Sequence, residues 1–437
     1  MFPPEIEEEI LGHLWDDNEA LKACALTRRS FLFPAQQLLY HKVVFGRPFE
    51  SPRRTIRQVA DLLEVLEANP MLCTHVRYLE IVDQRRDWLR RDDCLILRII
   101  RLLDNLQALI VDTRYESRKW PFSIISPEQV IVEWPDTFLS AFLDVIHRPT
   151  LKFFSMTDFP MELMKHGGHL THLSFWKLSP QPLPPGSCTS CVGKLGIHSL
   201  ELQGFPNESH EGLSLVQHLR CLVDLKKIRR VYVNAAGKEI QAHHLLWDIL
   251  QDCSDKLEEL AISPCHGISA GYKINPSGDP IDWSTFRSLR VFCASVNGSD
   301  GYAGLRSVDW EDPQHFESYP WLIGVLDQLA SSGNCGIEEI FIHVLFDFSR
   351  CDNTPSVTSG HRYFKDLELL SDETRFPRLK AIKFTLEIIH PNHSPRDDLE
   401  DNLQDVVQRL RMRSHPPIKV EVSRDHNVKR FFRSIFP

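Results

Sequence analysis

Leu257-Glu258-Glu259-Leu260-Ala261-Ile262 is too short to be a helix that could stand alone, and its last apolar residues alternate as on one face of a strand. The same L-x-x-L-x-L shape recurs along the chain, as Val76/Leu79/Ile81, Leu106/Leu109/Val111, Leu151/Phe154/Met156, Leu170/Leu173/Phe175, Ile197/Leu200/Leu202, Ile228/Val231/Val233, Leu289/Phe292/Ala294, Ile337/Ile340/Ile342 and Leu379/Ile382/Phe384. The middle residues of the ten runs, in chain order, are 30, 45, 19, 27, 31, 29, 32, 48 and 42 residues apart. Between the strands lie amphipathic helical patterns: Ile56/Val59/Leu63/Leu66, Leu95/Ile99/Leu102/Leu103, Phe138/Phe142/Val145, Leu246/Ile249/Leu250 and Leu322/Val325/Leu326/Leu329. Strand alternating with helix predicts parallel strands. One strand and one helix cannot bury their own apolar faces, so the units are expected to stack on one another.

The expected fold class is therefore α/β, and the repeating part resembles a degenerate leucine-rich-repeat solenoid, with parallel strands on the concave face and helices outside. Most units exceed the usual repeat length, and the Asn that ends each strand in that family is mostly missing. A doubly wound α/β sheet is the structural alternative. Segments 113–135, 179–196, 264–285, 297–317 and 347–375, rich in Pro, Gly, Ser and Asp, read as inserted loops. A last helix, Leu399/Leu403/Val406/Val407/Leu410, followed by Ile418/Val420/Val422, is expected to close the far end.

The first forty-odd residues differ. Pro3-Pro4-Glu5 with Ile6, Ile10, Leu11 and Leu14 predicts a helix with Pro in its first turn and acids at its N-terminus. Asp17 is a good N-cap for a second helix carrying Leu21, Cys24 and Ala25, and Pro34 can open a third bearing Leu38 and Leu39. So small a unit needs the downstream domain or another protein to cover its apolar faces. Spacing alone leaves both open: an end cap for the repeats, or a docking module.

Phe2-Pro3-Pro4-Glu5-Ile6, Ile10-Leu11-Gly12-His13-Leu14 and Ala23-Cys24-Ala25-Leu26-Thr27-Arg28-Arg29-Ser30-Phe31-Leu32 together resemble the F-box in the form common in basidiomycete fungi. Phe2, Thr27, Arg28 and Phe31 stand where that pattern has Leu, Val, Cys and Trp. The resemblance implies a module over residues 1–45, ahead of a repeat domain over 46–437. It also implies docking onto the Skp-type adaptor of a cullin-RING ubiquitin ligase, through Pro3, Pro4, Ile6, Ile10, Leu11, Leu14, Leu21, Leu26 and Phe31. The chain would then be the substrate-receptor subunit of an SCF-type ligase and not an enzyme. Residues alternating with the buried strand positions, namely Trp176, Glu201, Arg230, Tyr232, Glu259 and Glu339, are the expected protein-substrate contacts. The alternative is a repeat scaffold whose F-box-like start is only a cap.

Composition narrows the remaining classes. Of the 437 residues 42% are hydrophobic and 25% charged, an ordinary globular balance. The formal charge of −9 comes from 59 acids and 50 scattered bases, which argues against a nucleic-acid partner. Eleven cysteines without a framework, several beside apolar residues (Leu72-Cys73, Phe292-Cys293), read as buried thiols of a reducing compartment. With no secretory pattern and no membrane-length apolar run, a cytoplasmic or nuclear protein is expected.

Four chemical-looking motifs are weak. Gly267-Ile268-Ser269-Ala270-Gly271 matches a nucleophile elbow, but the Pro- and Gly-rich sequence after it cannot form the helix an elbow needs. Cys188-x-x-Cys191 with His166, His169, His172 and His198 lacks a second C-x-x-C, and Gly237-Lys238 lacks the rest of a phosphate loop. Asp397-Asp398-Leu399-Glu400-Asp401 reads as a helix start. No catalytic residue, metal or cofactor is expected.

Overall fold

A computed structural model describes residues 3–15, 17–46, 51–83, 89, 94–113, 136–157, 161–176, 194–203, 217–234, 248–263, 282–297, 318–331, 335–347, 365–389, 396–413 and 419–423. The chain opens with three helices, α1 (Pro4–Gly12), α2 (Asn18–Thr27) and α3 (Arg29–His41). Pro4 starts α1, where its missing N–H has no partner to lose. Asp17 caps α2 by accepting a 2.9 Å hydrogen bond from the Ala20 amide. Arg28, with φ −152° and ψ 136°, breaks the chain between α2 and α3.

The third helix thus begins at Arg29, ahead of Pro34, which lies inside it rather than opening it. Proline removes one intrahelical bond there, a cost of about 3 kcal/mol in a helix interior. The stripe Phe31, Ala35, Leu38 and Leu39 packs on the module core and offsets that loss.

α3 runs without a linker into β1 (Lys42–Phe45), which pairs in parallel with β2 (Tyr78–Val82). The last residues of the segment 1–45 therefore belong to the sheet. Gly46 ends β1 at φ 72°, and a Cβ there would lie 1.9 Å from the Val82 carbonyl oxygen, so only glycine suits the position.

By its contacts the chain divides into two compact units, Met1–Ile197 with Cys221–Val223, and His198–Arg220 with Asp224–Pro437. The first continues with α4 (Pro52–Ala68), a 3-10 turn (Pro70–Thr74), β2, α5 (Leu95–Leu102), β3 (Ala108–Asp112), α6 (Asp136–Ile146), β4 (Phe153–Thr157) and β5 (His172–Trp176). The second holds β6 (Ser199–Gln203), β7 (Arg230–Asn234), β8 (Glu259–Ser263), β9 (Val291–Asn297), α7 (Ser318–Ser331), β10 (Glu339–Asp347), β11 (Ala381–Ile389), α8 (Arg396–Arg413) and β12 (Lys419–Ser423). Within each unit the described strands follow chain order and pair in parallel, β1 to β5 in the first and β6 to β12 in the second. In neither does the order reverse, as it must in a doubly wound sheet.

Register lines up the apolar positions read from the sequence. In the first unit Leu79, Leu109, Phe154 and Leu173 are cross-strand partners, and all are buried. In the second, Leu200, Val231, Leu260, Phe292, Ile340, Ile382 and Val420 form the equivalent row. Helices cover this side with Val59, Leu63 and Leu66 of α4, Ile96, Ile99 and Ile100 of α5, and Phe138, Phe142 and Val145 of α6.

Within the first unit, successive helices are also joined by polar contacts. Arg148, just past α6, donates from Nη1 to the carbonyls of Ile100 (3.1 Å) and Leu103 (2.7 Å) and from Nη2 to that of Arg101 (3.3 Å), so it caps the C-terminus of α5.

Parts of the expected loops are structural. Trp283 is buried in a 3-10 turn (Trp283–Thr285), and Leu367 and Leu370 are buried in another (Lys365–Ser371). Ser269, Cys188, Cys191 and Gly237-Lys238 lie outside the described residues. Among the described residues, no helix is long and apolar enough to cross a membrane.

Candidate functional site

The N-terminal module closes a core of its own from Leu11, Leu21 and Ala35, with Leu14, Cys24, Ala25, Phe31, Leu38 and Leu39 packed around it. Leu11 and Leu21, expected on a contact face, are fully buried and build the module instead. Leu14 and Phe31 are only partly accessible.

Other expected contact residues are presented outward. Ile6 and Ile10 are each 40% exposed and Leu26 is 88% exposed, while Pro3 is exposed ahead of α1. Trp15, at 69%, and Leu32 and Phe33 are also exposed, and none of the three was expected as a contact. Trp15 was hidden from the periodic pattern because it falls in the break after α1. Large apolar side chains so exposed on one small module are the ordinary mark of an interaction surface.

The two polar departures from the F-box pattern are satisfied internally. Thr27 Oγ1 donates to the Cys24 carbonyl at 2.9 Å. Arg28 places Nη1 2.9 Å from Oε1 of the buried Glu7, and its guanidinium lies 5.8 Å from the centre of the Phe31 ring. The Glu7 contact is ionic, without hydrogen-bond alignment at Oε1.

The second candidate surface is the sheet face that alternates with the core rows. Register sets Arg230 beside Glu259, Glu259 beside Val291 and Val291 beside Glu339, with Glu201 beside Tyr232 one row on. Five of the six expected substrate contacts are thereby gathered in the second unit, while Trp176 ends β5 in the first. Tyr232 departs from expectation. It is 6% exposed and packs with Ala261, its register neighbour on β8, and Cys293, one strand further on, both small enough to leave its ring room against the sheet.

Charges on this face are largely answered. Arg230 Nε lies 3.2 Å from Glu259 Oε2; burial still raises the Glu259 carboxyl above its ordinary value, with the Arg230 charge opposing. Along the rim before the strands runs an alternating ladder, Arg229 to Glu258 at 3.1 Å, and Glu338 to both Arg290 (3.1 Å) and Lys380 (2.8 Å). Hydrogen bonds from Arg290 and Lys380 pull the Glu338 carboxyl down to about 2. Toward the other end of the strands Ser295 and His343 are buried and share a 2.9 Å hydrogen bond, Oγ to Nδ1.

The residues weighed as metal ligands are engaged otherwise. His169 Nε2 is 2.9 Å from the Ile146 carbonyl, His172 Nδ1 is 2.8 Å from Thr171 Oγ1, and the His166 ring centre lies 5.0 Å from that of His147, the rings tilted by 50°. The described cysteines are free thiols; Cys73, Cys253, Cys293 and Cys335 are buried, whereas Cys24, Cys94 and Cys221 are partly accessible. Burial pushes the Cys253 thiol up to about 12, far from a reactive thiolate. Comparison with models of known protein families found no match, and comparison with curated proteins found none either.

Proposed function

We propose that this chain is a non-enzymatic substrate receptor of an SCF-type ubiquitin ligase. In this reading residues 3–41 are an F-box-like module that docks on a Skp-type adaptor and, through it, a cullin. The following α/β units are a leucine-rich-repeat-like domain that holds a protein substrate, through the sheet face bearing Glu201, Arg230, Glu259 and Glu339. The observation that carries the reading is the division of labour in the module. Leu11, Leu21 and Ala35 close its core, yet Ile6, Ile10, Trp15 and Leu26 remain outside with nothing of the chain's own needed to complete that core.

The test is co-purification of a Skp-type adaptor with the full chain and with the double variant Ile6→Asp, Ile10→Asp. Both isoleucines are outward in the free chain, so carboxylates there cost little in its folding. Buried unpaired against an adaptor they cost several kcal/mol. The reading expects capture by the parent chain and none by the variant, at an unchanged melting temperature. Absence of capture by the parent chain defeats it.

A second reading, a repeat scaffold with a helical cap, draws on the direct passage from α3 into β1 and on the Phe33 ring set edge-on 5.0 Å from His75, at the end of the 3-10 turn ahead of β2. It predicts no adaptor binding by the unmodified chain.

A further inference from the structure

Burial on α1 runs against hydrophobicity. Glu7 and Leu11, four residues apart, share one stripe of the helix and face inward, while Ile6 and Ile10 share the stripe about 100° away and face out. Rolling α1 by that angle would bury two isoleucines in place of a leucine and a carboxylate. Apolar burial by itself therefore favours the other roll. What opposes it is Arg28. Its extended backbone in the break between α2 and α3 aims the guanidinium at Glu7 Oε1, 2.9 Å away, where the Glu7 side chain is 6% exposed and the Arg28 side chain 34%. A charge at Glu7 is tolerated inside only while this partner is present.

We infer that the Glu7–Arg28 ion pair is a positioning device that sets the roll of α1 and so keeps Ile6 and Ile10 on the adaptor-facing surface. The inference rests on the proposed function and adds the residues that fix its interface geometry. Neither residue touches the adaptor in this scheme. Leu11 alone cannot fix the roll, because apolar contact is non-directional, whereas Arg28, held on one side of α1, leaves the Glu7 carboxylate paired at one roll angle and unpaired at others. Phe31, beneath the Arg28 guanidinium, holds that side chain in place from α3.

The test uses the full chain and a purified Skp-type adaptor. Affinity is measured for the parent, for Glu7→Gln, for Arg28→Met, and for the charge exchange Glu7→Arg with Arg28→Glu. Hydrogen exchange of the α2 and α3 amides is followed in each. The expected result is at least a tenfold loss of affinity in both single variants, with α2 and α3 still protected, and substantial recovery in the exchange variant. Recovery on exchange is what a merely space-filling role would not give. Affinity within twofold of the parent in both single variants overturns the inference while leaving the ligase reading intact. Loss of affinity together with loss of α2 and α3 protection, unrepaired by the exchange, also overturns it, since the pair would then hold up the fold rather than orient one helix. A parent chain that does not bind the adaptor fails earlier and takes both down.

Discussion

Replacing Arg148 by alanine should destabilise the first unit by about 3 kcal/mol. Arg148 supplies donors to three carbonyls at the end of α5, those of Ile100, Leu103 and Arg101, and its side chain is only 18% exposed. A hydrogen bond involving a charged group contributes about 1.5–3 kcal/mol. Water can reach part of the site once the side chain is gone, so only the two shorter bonds are counted, each at the low end of that range. A cation at a helix C-terminus adds a few tenths of a kcal/mol more. For a unit of this size a loss of 1 kcal/mol lowers Tm by roughly 2–4 °C, which gives a fall of about 6–12 °C. Calorimetry of the full chain reads this directly. Arg148→Lys should lose about half as much, because a single ammonium can stand in for Nη1 at the Ile100 and Leu103 carbonyls but lacks the planar fork that aims it and the second nitrogen that reaches Arg101. A fall of less than about 2 °C for Arg148→Ala, or identical behaviour of the Lys and Ala variants, would refute the view that this residue caps its neighbour's helix.

Gly46→Ala should cost at least about 2 kcal/mol in denaturant unfolding, from the left-handed backbone and from the forced movement of β2 away from the new Cβ. An unchanged midpoint would mean that the two strand ends are not so close. Glu338 is held well below the unfolded value by Arg290 and Lys380, so its contribution is present above about pH 4.5 and is lost as pH falls below that. Glu338→Gln should therefore flatten the acid limb of the stability profile. Burial, and secondarily the Arg77 charge, depress the imidazoles of His41 and His75. A depressed base takes up protons more readily in the unfolded chain, so Tm should fall as pH drops below about 6.5, and His75→Asn should reduce that slope. A Tm flat between pH 7.5 and 5.5 would count against a buried, neutral imidazole at His75.

The ten strand cores were legible because each places two alternating apolar residues on the buried face, and register then aligned them without a shift. β1 was not, since Lys42–Phe45 is short and follows α3 with no turn residue between. Proline misled at α3, because a stabilising apolar stripe outweighs a single missing donor. At the module surface, the sequence offered one wide apolar band on α1, and nothing local separates Leu11, inside, from Ile10, outside. Under the inferred role of the ion pair, that choice depends on Arg28, an arginine outside α1 in the break between α2 and α3. The strand positions that alternate with the buried row were legible for Glu201, Arg230, Glu259 and Glu339, whereas the burial of Tyr232 depends on Ala261 and Cys293, neighbours known only once register is known.

Within each unit, every strand lies beside the one that precedes it in sequence. No pairing must therefore wait for a distant part of the chain, and the loop closed at each step spans only one strand-to-strand connection. Closure entropy grows slowly with loop length, so connections as unequal as those between the strand centres differ by about 1 kcal/mol or less in this respect. During synthesis β1 is ready as a template when β2 emerges, and each later strand in turn finds its partner already made. Assembly can thus proceed in the direction of translation, with one open edge at a time, and an insertion between strands lengthens a single step without reordering the rest.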